Sequence, residues 1–181
     1  MLLISLLFLP SALFAIPYGI QYNSMSEDRL ASGQCSLCFD APYEKATYSE
    51  DILSCAGPVL FVGVKKAISG LWYAIYHNWD DEFLIGAFGL ASEVQRFTVL
   101  NKPHESNGVY WYFTPGKSFG FLGDDTLEQA TADIGDTNPD SRLSWNLSKY
   151  GGYRVGRDLR LGESERYGLY RKRIYNCPLS I

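Results

Sequence analysis

Val109-Tyr-Trp-Tyr-Phe-Thr114, closed by Pro115-Gly116 and followed almost at once by Ser118-Phe-Gly-Phe-Leu122, decides the reading of this chain. Short runs of β-branched and aromatic residues, separated by a tight turn signal, are the mark of neighbouring strands. The same grammar extends outward in both directions. Asn107-Gly108 introduces the first run, and upstream lie Val59–Lys66, Leu71–His77, Phe83–Gly89 and Val94–Leu100. Downstream lie Arg142–Leu147, Tyr153–Leu159 and Gly168–Asn176. About nine runs, mostly spaced by 8–12 residues, predict an all-β protein: an antiparallel β-sandwich, with a closed β-barrel as the alternative. Helix should stay below about 15%, because only Thr126–Asp133 strings helix formers together, behind a Thr126-x-x-Gln129 capping pattern.

Alternation refines two of the runs. Leu71–His77 is apolar on both faces, which suits a central strand. In Tyr167–Tyr175, Arg171 and Arg173 fall on one face and Lys172 on the other, which predicts an edge strand guarded by charge.

The full chain has 181 residues, 46% hydrophobic and 15% aromatic, which is one domain's worth of core-forming material and excludes disorder. Met1–Ala15 (MLLISLLFLPSALFA) reads as a secretory signal peptide, too short in its apolar run for a membrane span. Residues 16–57 then read as a polar, cysteine-bearing lead-in, and 58–181 as the β-sandwich domain. Export fits the four cysteines, Cys35, Cys38, Cys55 and Cys177, which predict two disulfides with three connectivities open. Whichever partner Cys177 takes, it staples the two ends of the domain.

Net charge is −4, which argues against a whole-molecule nucleic-acid binder. The average hides an asymmetry: residues 151–181 carry +4 and residues 16–150 carry −8. The basic C-terminal residues Arg154, Arg157, Arg160, Arg171, Lys172 and Arg173 are therefore candidates for an anionic surface, or for pairing with acids across strands. Tyr110, Trp111 and Tyr112 form the densest aromatic stretch and are candidates for a ligand platform, against simple core packing. Asp136, Asn138 and Asp140 place oxygen donors at alternate positions, as a calcium loop does, against a solvated polar turn. Asn146-Leu147-Ser148 is a glycosylation sequon, with Trp145 expected to point inward if Asn146 points out.

No catalytic residue can be named. His77 and His104 are the only histidines, and no nucleophile elbow, zinc motif, P-loop or dinucleotide fingerprint occurs. The expectation is a secreted recognition module for a glycan, a cell surface or a protein partner, with no nucleic acid and no transmembrane span. The alternatives are a glycan hydrolase using carboxylates such as Asp80, Asp81, Glu82 and those of the 124–140 segment, and a membrane-active sandwich meeting lipid peripherally through aromatics and basic strands.

Overall fold

The computed structural model describes residues 15–43, 45–66, 82–124, 142–148, 152–155 and 170–179. They form two five-stranded antiparallel sheets that do not close into a barrel. The sandwich prediction holds, and so does the low helix content, at 14%. The first sheet has the order β1 (Ile20–Tyr22), β4 (Phe83–Leu90), β3 (Val59–Lys66), β10 (Tyr170–Cys177), β2 (Ser36–Pro42). The second runs in chain order through β5 (His104–Ser106), β6 (Val109–Thr114), β7 (Ser118–Leu122), β8 (Arg142–Asn146) and β9 (Gly152–Val155).

Period-two alternation sorts the strands onto their faces. Leu60, Val62 and Val64 of β3, Ile85 and Ala87 of β4 and Ile174 of β10 face inward from the first sheet. Against them the second sheet sets Trp111, Phe113, Phe119, Phe121 and Trp145. One layer is aliphatic and the other aromatic, so the rings interlock with neighbours of their own kind along the second sheet. Trp111 meets Phe121 edge-on at 5.2 Å, and Phe119 meets Trp145 at 5.5 Å. Each such buried ring contributes roughly 1.5–3 kcal/mol through removal from water.

Part of the outer face of the first sheet is also apolar. Phe61, Phe83, Phe88 and Tyr175 form an aromatic cluster there, closed over by Met25 and Leu30. Gly63 and Gly86 are register partners beneath the Phe61 ring, and a Cβ on Gly86 would lie 2.3 Å from its Cζ. Leu30 belongs to α1 (Glu27–Ser32), whose N-cap Ser26 accepts the Arg29 backbone N–H. A second short helix, α2 (Ser49–Leu53), delivers Ile52 to the inter-sheet core, and α3 (Ala91–Val94) delivers Val94.

Three sequence expectations change here. Residues 16–57 are not a loose lead-in: they supply β1, β2, α1 and α2, and seat Met25, Leu30, Tyr43 and Ile52 in the cores. The Val94–Leu100 run is not a strand, because α3 turns the chain at Ala91 and the remainder becomes loop. Most instructively, β10 is not an edge strand. It pairs with β3 on one side and β2 on the other. Its charges are tolerated because each meets a partner. The predicted strand Leu71–His77 and the predicted helix Thr126–Asp133 lie outside the described residues.

The cysteines pair as Cys35–Cys177 and Cys38–Cys55. Cys35 precedes β2 and Cys177 ends β10, so the first bridge continues the β2–β10 ladder by one further pair beyond Ser36↔Asn176. The second ties β2 to the segment after α2.

Candidate functional site

The basic residues of the C-terminal region fall on different sheets. Arg154 lies in β9, its backbone opposite Ser144, whereas Arg171, Lys172 and Arg173 lie in β10. Arg157 and Arg160 lie outside the described residues. On the outer face of the first sheet, Arg171 Nε donates to Asp40 Oδ1 at 2.6 Å and Arg173 Nε to the same oxygen at 3.2 Å. Arg173 also pairs with Glu27, which accepts from Lys65 at 3.2 Å and from the Tyr175 hydroxyl at 3.2 Å. Three cations thus share two carboxylates, one from β2 and one from α1. Lys172 points the other way and is fully buried, its Nζ donating to the Lys45 carbonyl and to Thr47 Oγ1. Arg171 and Arg173 are therefore used in pairing across strands and in holding α1 to the sheet.

Glu27 is the hub of that network. Glu27→Gln should cost about 1–2 kcal/mol, because Lys65 and Arg173 are mostly buried and would lose their charged acceptor. A urea titration checks this: the midpoint should fall, and the difference from wild type should shrink at high salt.

The aromatic stretch is divided by its own alternation. Trp111 lies in the inter-sheet core, with Nε1 donating to the Ser106 carbonyl at 3.3 Å. Tyr112 lies on the opposite face and is equally buried, its ring over Gly120 and its hydroxyl donating to the Leu143 carbonyl at 2.9 Å. Tyr110 is half-buried beside Leu122. Two of the three platform candidates thus serve packing. The outer face of β8 carries a buried polar row, Arg142, Ser144 and Asn146. Trp145 points inward, as expected for the sequon strand. Asn146 itself is buried, and its Oδ1 accepts from the Ser148 backbone N–H at 2.8 Å and the Ser148 hydroxyl at 2.7 Å.

Asp136, Asn138 and Asp140, and with them His77, Asp80 and Asp81, lie outside the described residues. Among the described residues no group of three or more His, Cys, Asp or Glu is arranged for a metal. His104 is engaged with the Phe97 carbonyl at 3.1 Å through Nε2. A shallow cleft of about 270 Å³ opens between Ile16, Val59, Leu90 and Leu179. Its polar neighbours serve the fold: Ser106 Oγ accepts the Leu90 N–H, and Asn107 Nδ2 donates to the Pro17 and Phe88 carbonyls.

The feature that sequence reasoning missed is a second tight hairpin. Asn107-Gly108, with φ of 57° and 73°, makes the two-residue turn between β5 and β6. Leu100-Asn101 repeats that geometry, with φ of 53° and 57°, inside an isolated antiparallel bridge Val99↔Lys102. Two positive φ values in a row describe the mirror-image turn that favours Asn-Gly. Leucine in the left-handed region costs roughly 1–2 kcal/mol. This leucine recovers nothing by burial, since it is 86% exposed, with Val99 at 64% and Phe97 at 51%.

The hairpin is held firmly. Thr98 exchanges two hydrogen bonds with Phe113: its N–H donates to the Phe113 carbonyl at 2.8 Å, and its Oγ1 accepts the Phe113 N–H at 2.7 Å. The Phe97 ring packs edge-on against Phe113 at 5.2 Å. Gln95 Nε2 clamps the stem to α2, donating to the Ile52 and Cys55 carbonyls at 2.8 and 2.6 Å. Apolar side chains are thus displayed on a rigid, locally strained support, the kind of outlier that associates with function. Leucine at the first turn position hides the hairpin in the sequence, where Val94–Leu100 reads as one strand-like run.

Fold and site together define a class: a disulfide-tied, two-sheet antiparallel β protein that presents an apolar hairpin at the margin of its second sheet. No protein-family model, curated protein or solved structure matches the chain.

Proposed function

We propose that this chain is an exported recognition module that engages an extracellular surface through the hairpin at residues 97–102. The observation that carries the reading is Leu100, an exposed apolar residue held in a backbone conformation that asparagine or glycine would adopt at lower cost. Export is the role assigned to Met1–Ala15, and the two disulfides suit an oxidising compartment. The ion pairs of Arg171 and Arg173 favour the hairpin over the basic strand as the contact surface.

Leu100→Asn separates function from folding. Asparagine accepts the left-handed conformation, so the melting temperature of the variant should equal or exceed that of wild type. The labelled full-length protein should bind intact cells or a glycan array saturably, and L100N should weaken that binding about tenfold or more. Binding of equal strength by the variant, or none by either protein, would overturn the proposal.

A further inference from the structure

We infer that the hairpin Phe97–Lys102 is a membrane-contacting tip whose ligand is an anionic lipid surface. The inference rests on the proposed reading of the chain as a surface-recognition module and names what that surface is. Three observations select lipid. The first is shape: Leu100 stands at the apex of a two-residue turn, 86% exposed, so the apolar group projects outward and suits insertion into a soft phase. The second is the order of chemistry along the tip. Leu100 leads at the apex beside Asn101, Val99 and Lys102 face each other across the bridge just behind it, and Arg96 starts the stem. A bilayer interface presents the complementary layers, acyl chains beneath a plane of phosphate and carboxylate, and lysine stems reach back to that plane.

The third observation is local charge. Residues 94–104 contain Arg96 and Lys102 and no carboxylate, although Glu105, which accepts the Gly108 N–H at 2.7 Å, follows directly. Glu93 does pair with Arg96, at 3.4 Å and in solvent, which leaves Lys102 as the principal cation of the tip. The rigidity of the support matters as well. Thr98, Gln95 and the Phe97–Phe113 contact fix the stem, so binding need not order a loop.

The test uses the exported protein, residues 16–181 once Met1–Ala15 is removed, and sedimentation with two kinds of vesicle, phosphatidylcholine alone and phosphatidylcholine with phosphatidylserine. Wild type should pellet with the anionic vesicles and far less with the neutral ones, and raising salt should weaken the binding. Leu100→Asn should reduce partition about tenfold or more through loss of the inserted side chain. Lys102→Glu should abolish the preference for anionic vesicles while leaving the fold intact. Equal binding to both vesicle types, or undiminished binding by L100N, would overturn the inference. So would absence of vesicle binding together with Leu100-dependent binding to cells. That last result keeps the surface-recognition reading and moves the partner to a protein or glycan.

Discussion

Replacing both Cys35 and Cys177 by serine should cost about 4–5 kcal/mol, the largest loss expected from removing any one cross-link in this protein. The bridge spans 142 residues of sequence, and the conformational freedom that it denies the unfolded chain grows with the logarithm of that span. By the same argument Cys38–Cys55, which closes 17 residues, is worth about 3 kcal/mol. Against a typical total of 5–15 kcal/mol, the long bridge is roughly a quarter or more of the folding free energy. Its place in the structure works in the same direction. It locks the β2 edge strand onto β10, and β2 also carries Asp40, which accepts from Arg171 and Arg173. Thermal melts of the two double-serine variants decide the matter. C35S/C177S should lose roughly 10–20 °C and C38S/C55S distinctly less, given ~2–4 °C per kcal/mol for a domain of this size. The reverse order would mean that the long loop is already constrained in the unfolded chain.

Gly120→Ala should destabilise by about 3 kcal/mol, the upper end of what a single added methyl costs in a packed site. A Cβ at this position would sit 2.0 Å from the Leu143 carbonyl oxygen and 2.5 Å from the Tyr112 hydroxyl. Neither can retreat freely, because the two are hydrogen-bonded to each other at 2.9 Å and Leu143 belongs to the neighbouring strand. Relief therefore requires β7 and β8 to separate or Tyr112 to give up its bond. Gly116→Ala makes the matched comparison. That glycine has open space around it but φ of 69°, so its cost is backbone strain alone, roughly 1–2 kcal/mol. Urea midpoints at constant slope read both values. A loss below about 1 kcal/mol for G120A would show that the second sheet is looser than its packing implies.

Much of the second sheet was legible because its information is local. Val109–Thr114, the Pro115-Gly116 turn and Ser118–Leu122 appear as read, and Asn107-Gly108 makes the hairpin that those residues announce. The hairpin at Leu100-Asn101 has the same backbone but escaped notice, since leucine carries no turn signal. Residues 16–57 escaped for a different reason. Their strands are short or polar at the surface, and β1, three residues long, has meaning only once β4 is beside it.

What the sequence determined by itself was the β class, the runs that became β3, β4, β6, β7 and β8, the turns at 107–108 and 115–116 and an even set of cysteines, because alternation and turn chemistry act between residues a few positions apart. What only the tertiary structure decided was pairing over long separations. The β10 segment shows why. Its cations at 171 and 173 mark an edge strand if each is judged alone, yet the strand sits between two others. Asp40 lies 131 residues from Arg171, and Glu27 is further still from Arg173. The penalty for placing charge inside a sheet depends on whether a partner arrives, and that is settled by the fold that brings α1 and β2 to the same face.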